Sequence, residues 1–265
     1  SFLIPVDNVK LYIDFISLLK SEPKIKKTNF IFEELDIAQL NKLSFLLKPS
    51  NFKKLLNNRI TQGKLKTEIE VFLNDKGLIE NFIARGKIKN LKAKLTNSLS
   101  LTNTNFGFTA DKNDILLKNI FGDVENIKIL EGDVRLNFEK GVKLNSNFFS
   151  QINLNSEVLN KHSQLFEKFK FLENIKIFKA NFNNSLSFEL DKTYKITNYN
   201  YKVTGKLEQA VFKLSESIKS NFLKKTIKEI YLSEIQVENI FDPKEIKLNG
   251  KGKYSINNSD FLKIN

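Results

Sequence analysis

The sequence predicts a mainly β chain with a few short helices. The expected architecture is a long, highly twisted antiparallel sheet forming an open groove, with helices capping its ends. Three observations predict it. Apolar and polar residues alternate with period two in run after run. Several runs exceed the roughly five or six residues of an ordinary strand. Segments with helical spacing are short and few.

The 265 residues divide into an opening strand-and-helix layer (1–60), a first β run (61–154), a helical insert (155–174) and a second β run (175–265). In the opening layer, Asp36 caps a helix over "IAQLNKLSFLL", and Pro49-Ser50 restarts one over "NFKKLLNNRI". In "GKLKTEIEVFL", Leu65, Ile69, Val71 and Leu73 share one face, while Lys64, Lys66, Glu68 and Glu70 take the other. In "GDVRLNFEKGVKLNSNF", Val134, Leu136 and Phe138 share a face, and Val142, Leu144 and Phe148 continue the alternation. Leu186, Phe188 and Leu190 repeat it, as do Tyr199, Tyr201, Val203 and Leu207, and then Ile246, Leu248, Tyr254 and Ile256. The runs from Ile83 to Leu95 and from Tyr194 to Lys213 each slip phase once, which places β-bulges near Asn90 and Asn198. Ser156 caps "EVLNKHSQLFEKF", and Ser215 or Ser217 precedes a third helical piece over "IKSNFLKKTI". Glycine opens or interrupts many alternating runs, at Gly63, Gly86, Gly132, Gly205 and Gly250, without the fixed period of a solenoid.

Composition removes several kinds of chemistry. There is no cysteine, so disulfides, thiolate metal sites and cysteine nucleophiles are out. The one histidine, His162, reads as an exposed surface residue. Glu33, Glu34 and Asp36 form the densest acidic group, and they read as a strand end running into a helix N-terminus. "GKGK" at Gly250 lacks the serine or threonine and the helix of a phosphate loop, and no G-x-S-x-G elbow occurs. The expectation is a chain that is not an enzyme and carries no catalytic residues, metal or cofactor. Its charge of +13 comes from lysines spread over nearly every strand, which reads as a solvated outer face. Nucleic acid is not an expected partner. No run of about 18 apolar residues supplies a transmembrane helix. The lack of methionine, position 1 included, reads as a segment of a longer protein or a processed product, with any anchor upstream.

What remains is the amount of apolar surface. There are 24 phenylalanines and 6 tyrosines, and the short helices are too small to cover a sheet this long. A sheet folded on itself would bury the apolar face. An open groove would need a ligand, and acyl chains, at roughly 0.8 kcal/mol per buried methylene, would fill it. The residues expected to line it are Leu136, Phe138, Leu144, Phe148, Phe188, Leu190, Tyr201 and Val203.

The stretch "VKLYIDFISLLKSEPKIKKTNFIFEELDIAQL", Val9 to Leu40, resembles the AsmA-like family: a strand, a short "SLL" turn, a basic-and-proline step, then a strand with an acidic end. Phe15, Leu18, Leu19, Pro23, Ile25, Phe30 and Leu35 stand at that family's apolar and turn positions. "GDVRLNFEKGVKLNSNF" resembles its recurrent strand pair, in which glycine opens each layer. The sequence departs from the family in its high lysine and asparagine content and in lacking an N-terminal membrane helix. The resemblance implies a β-taco-like periplasmic segment of an inner-membrane-anchored protein of a diderm bacterium. Such a segment would serve intermembrane phospholipid transport toward the outer membrane. Its partners would be phospholipid acyl chains, membranes through the parent protein, and an outer-membrane protein. The alternative is a non-enzymatic structural or assembly scaffold for outer-membrane biogenesis.

Overall fold

The computed structural model describes residues 6–21, 23–37, 59–94, 99–139, 141–161, 174–191, 193, 195–220 and 225–264. The chain is mainly β. The described strands are β1 (Asn8–Ile13), β2 (Ile25–Asp36), β3 (Ile60–Leu73), β4 (Ile79–Lys94), β5 (Ser100–Ala110), β6 (Asp114–Val124) and β7 (Ile127–Asn137). They continue with β8 (Val142–Asn155), β9 (Ile175–Leu190), β10 (Ile196–Ser220), β11 (Lys225–Phe241), β12 (Ile246–Ile256) and β13 (Leu262–Ile264). All belong to one open antiparallel sheet whose strands are hydrogen-bonded in chain order, β1 to β13. The described helices are short: α1 (Phe15–Leu19) and α2 (Ser156–Lys161).

Cross-strand registers show why the alternation matters. Phe30, Ile69, Ala84 and Ala110 stand in one row across β2 to β5. Phe32, Thr67, Gly86 and Phe108 form the next, then Leu35, Leu65, Ile88 and Phe106. The intervening rows are mostly polar: Glu68, Arg85 and Thr109 beside Ile31, then Lys66, Lys87 and Gly107, with Lys64 opposite Lys89. Each row is one pleat, so a register slip of one residue would turn phenylalanines such as Phe30, Phe32, Phe106 and Phe108 to the lysine face.

Bulges hold the phase. At the site expected near Asn90, β4 shifts register against β5 between Ile88 and Leu91, and Asn90 has φ +52°. Its amide donates to Asn105 Oδ1 at 3.1 Å. Asn119 repeats the device with φ +53°, its amide donating to Asp133 Oδ1 at 3.1 Å. In β10 a phase change falls between Leu207 and Ala210, both buried, and Glu234 in that part of β11 has φ +54°. Asn198 lies before the stretch of β10 that pairs with β11, which begins at Tyr201.

The connections after β3, β5, β7, β9 and β11 share one turn chemistry. Asn74 Oδ1 accepts the amides of Lys76 and Leu78. Asp111 accepts those of Asn113 and Asp114, Asn137 that of Glu139, Asp191 those of Thr193 and Lys195, and Asp242 those of Lys244 and Glu245. These are Asx turns, in which a side-chain oxygen replaces a backbone acceptor. The donated bonds hold the Asp111, Asp191 and Asp242 carboxyls below the usual carboxylate range; for Asp191 the Thr193 hydroxyl contributes most.

Two expected helices fare differently from the sequence reading. Residues 218–220 and 225–227 are strand: Ile218 pairs with Ile227, Lys219 with Thr226 and Ser220 with Lys225. Cross-strand pairing overrides the helical spacing of Ile218 there. α2 starts at Ser156, but Asn155 Oδ1 is the group that accepts the Val158 amide, at 3.0 Å, so the cap is Asn155. The expected helices over 37–47 and 51–60 lie almost wholly outside the described residues, as does His162.

The chain forms two compact units. Unit 1 holds Ser1–Gly122, Asp133–Leu144 and Leu190–Lys195; unit 2 holds Asp123–Gly132, Asn145–Glu189 and Ile196–Asn265. Unit 1 buries Phe32, Leu35, Ile37, Leu65 and Leu91. Unit 2 buries Ala180, Phe182, Val203, Leu207, Ala210 and Ile235. Gly205 serves the second core: its φ is +147°, and a Cβ there would collide with the Asn181 carbonyl oxygen and lie 3.0 Å from Phe182 Cα.

Two outcomes follow. Gly205→Ala is expected to destabilise by about 2 kcal/mol or more, because the backbone region is strained for any L side chain and the space is filled. Gly107→Ala, which meets nothing nearer than 3.7 Å, serves as the mild control in urea unfolding. Stability is also expected to fall as pH drops below about 4, since carboxyls with depressed folded pKa values must then take up protons. The triple change Asp111→Asn, Asp191→Asn and Asp242→Asn keeps the acceptor oxygens and should flatten part of that acid limb.

Candidate apolar sheet face

Of the eight residues expected to line a groove, four belong to unit 1. Leu136 lies in β7 and Leu144 in β8, both half-buried. Phe138 sits one residue beyond β7, where its amide donates to the Asn113 carbonyl at 2.8 Å. Leu190 ends β9, and its carbonyl oxygen packs where a Cβ of Gly141 would stand. The other four belong to unit 2. Phe148 and Phe188 are half-buried in β8 and β9. Tyr201 and Val203 enter one cluster with Phe182, Leu207 and Ile235, and Val203 is buried there.

Unit 2 also holds a polar knot that sequence reading missed. Asn184 and Ser150 are buried. The Asn184 amide group donates to Ser150 Oγ at 2.9 Å, to the Phe182 carbonyl at 3.1 Å and to the Phe148 carbonyl at 3.2 Å. Its oxygen accepts the Tyr201 hydroxyl at 2.7 Å. Tyr201 stacks on Phe241 with ring centroids 5.8 Å apart. Burial pushes the Tyr201 phenol above its ordinary range. The knot ties Phe148, Phe182 and Tyr201 to one amide. A buried amide of this kind is costly unless its bonds are made, and here they are. The alternation of "NFNNSLSFEL" does place Asn184 on the same side as Phe182 and Leu186, which was the available signal.

In unit 1 the apolar rows remain partly accessible. Ile69, Phe82, Ile88, Phe106 and Phe108 are half-buried rather than buried. The opposite face opens into a shallow cavity of about 790 Å³ whose lining includes Lys64, Lys66, Arg85, Lys87, Lys89 and Lys118. Glu34 pairs with Lys64 and Glu33 with Lys66. The Lys64 hydrogen bond holds the Glu34 carboxyl low, and Glu34 in turn raises the Lys64 ammonium. The bulge between Phe32 and Leu35 lets these consecutive glutamates reach lysines of one face. Glu33 and Glu34, two of the three members of the densest acidic group, are thus taken up in ion pairs that relieve the facing Lys66–Lys87 and Lys64–Lys89 pairs. These lysines stand on the face opposite the apolar rows, not on a rim beside them.

Among the described residues, no group of three or more His, Asp or Glu side chains is placed to hold a metal ion, and no helix is long and apolar enough to cross a membrane. No family model, no curated protein and no solved structure matches the chain.

Tyr201→Phe leaves the Asn184 oxygen without its donor and is expected to destabilise unit 2 by about 1–2 kcal/mol in urea unfolding. The same change tests a pH effect. A phenol raised on folding gives stability that is present below about pH 10 and lost as pH rises further. Tyr231, raised by its bond to Glu229, acts in the same direction. Tyr201→Phe should therefore remove part, not all, of the alkaline loss.

Proposed function

We propose that this chain is an AsmA-like, periplasmic, bridge-like segment that carries phospholipid acyl chains between membranes. In this reading it belongs to an inner-membrane-anchored protein of a diderm bacterium, and it moves lipid passively toward the outer membrane. The observation that carries the reading is the one-sided sheet. The described strands pair in chain order, and across β2 to β5 in unit 1 apolar rows share one face and several of their residues stay half-accessible. A partly open apolar face takes a flexible hydrocarbon without specific contacts, since burial of methylenes is additive and non-directional. Acyl chains would lie along that face while headgroups remain in water. The lysines of the opposite face would keep the sheet soluble. Leu136, Phe138, Leu144 and Leu190 would act as lining in unit 1 and Phe148, Phe188 and Tyr201 in unit 2, with Val203 packing in the unit 2 core.

A second reading is a scaffold in outer-membrane biogenesis that binds a protein partner by strand addition. One observation favours it: β1 pairs only with β2 among the described strands, and all six of its residues are exposed.

Native mass spectrometry of the purified chain, followed by lipid extraction, separates the two. At least one phospholipid per chain is expected. Phe138→Glu combined with Phe188→Glu should abolish the bound lipid while the β-type circular dichroism spectrum is kept. Unchanged lipid in that folded variant, or a lipid-free wild type, would overturn the carrier reading.

A further inference from the structure

Helix α1 is inside out. Its buried residue is the polar one, Ser17, at 6% exposure, while Phe15 stands at 69%, Ile16 at 62%, Leu18 at 52% and Leu19 at 71%. An amphipathic helix on a soluble domain would do the reverse. The inversion is fixed by hydrogen bonds, not left to chance. The Ser17 amide donates to Asp14 Oδ2 at 3.1 Å and its hydroxyl donates to the Asp14 carbonyl at 2.8 Å. Ser17 Oγ accepts the Lys24 amide at 2.9 Å, which ties the helix to the chain entering β2.

The same end of unit 1 gathers more apolar tips. Ile13 pairs with Ile25, and both are exposed. Lys26, next in β2, bonds to Asp75 in the β3–β4 turn. That turn, set by Asn74, presents Leu78 and Ile79 at 61% and 69% exposure. Three elements thus carry exposed large aliphatic or aromatic side chains at one strand end. Lysines surround them. Lys20, Lys24 and Lys76 are exposed and make no ion pair among the described residues. Lys112 reaches the Glu80 carbonyl at 3.3 Å. Among the described residues, the carboxylates there are Asp14, spent on the helix cap, Asp75, spent on Lys26, Asp111, spent on the Asn113 and Asp114 amides, and Glu80.

We infer that this end of unit 1 docks on an anionic lipid bilayer, with Phe15, Ile16, Leu18, Leu19, Leu78 and Ile79 entering the headgroup–acyl boundary. Apolar tips beside Lys20, Lys24 and Lys76, which make no ion pair among the described residues, fit that surface, because area burial and attraction to anionic headgroups act together. A protein groove would ask for a concave mate to each tip, while a bilayer accepts projecting side chains of any shape. The docking itself stands on these residues alone, and it rests on the lipid-carrier reading only for its purpose, which is to bring the apolar sheet face to a membrane.

The test is flotation of the purified chain with vesicles of phosphatidylethanolamine and phosphatidylglycerol, beside vesicles of phosphatidylcholine. Binding is expected on the anionic vesicles and is expected to weaken with salt. Phe15→Glu combined with Leu19→Glu should cut it about tenfold or more. Leu78→Glu combined with Ile79→Glu, on a separate element, should do the same if the first variant fails to fold. Phe121→Glu, an exposed position in the second half of β6, should leave binding unchanged. Absence of binding to anionic vesicles would overturn the inference. So would binding that neither double variant weakens, or a self-association that these variants dissolve while vesicles bind nothing. Lipid content of the same preparations keeps the two readings apart. Vesicle binding without co-purified lipid would sink the carrier alone, and co-purified lipid without vesicle binding would sink the docking alone.

Discussion

Everything else in this chain depends on holding a period-two register across a ladder in which each strand pairs only with its neighbours in sequence. In a sheet with one apolar face, a one-residue slip exchanges the two faces of a strand. The strands here are long; β10 runs for 25 residues. Coiling of such strands would drift the pattern unless extra residues were absorbed. The bulges absorb them. Five of the eight described non-glycine residues at positive φ are asparagines, the residue type that tolerates this conformation best after glycine. The high asparagine content therefore has, in part, a structural use.

The polar face carries a different strain. Lysines face lysines across β3 and β4, which costs stability in an antiparallel pair. Glutamates brought round by the β2 bulge offset two of them. Exposed ion pairs of this kind are individually weak. Their use is to let a strongly cationic face exist without driving neighbouring strands apart. The apolar face meanwhile concentrates cohesion in two separate clusters, one in each compact unit. A polar knot at Asn184 fixes the orientation of Tyr201 in one of them.

The strands were legible because alternation is a local property. Gly63 to Leu73 and Leu186 to Leu190 lie in strands as read, and the bulge at Asn90 was visible as a phase slip. The third helix failed for an equally local reason. Ile218, Phe222 and Leu223 suit a helical face, but Ile218 has a strand partner in Ile227, and ladder pairing outweighs the weak propensity of a short segment. The inside-out helix was missed because the "SLL" turn offers no sign that Ser17 turns inward. Which face of a single helical turn is buried depends on Lys24 and Asp14, partners that only the folded chain brings together. The candidate lining was legible as a set of apolar positions but not as an arrangement, since nothing local assigns Leu136 to one compact unit and Phe148 to the other.

By itself the sequence determined the mainly β class, most strand positions and the lack of thiol chemistry. Each follows from composition or from residues close in the chain, through their period of two. Tertiary structure decided which glutamate neutralises which lysine, which apolar residues pack into cores and which stay accessible, and which way α1 faces. Those outcomes depend on cross-strand register and on hydrogen bonds between segments distant in sequence, as when β2 and β3, joined through residues 37–59, bring Glu34 to Lys64.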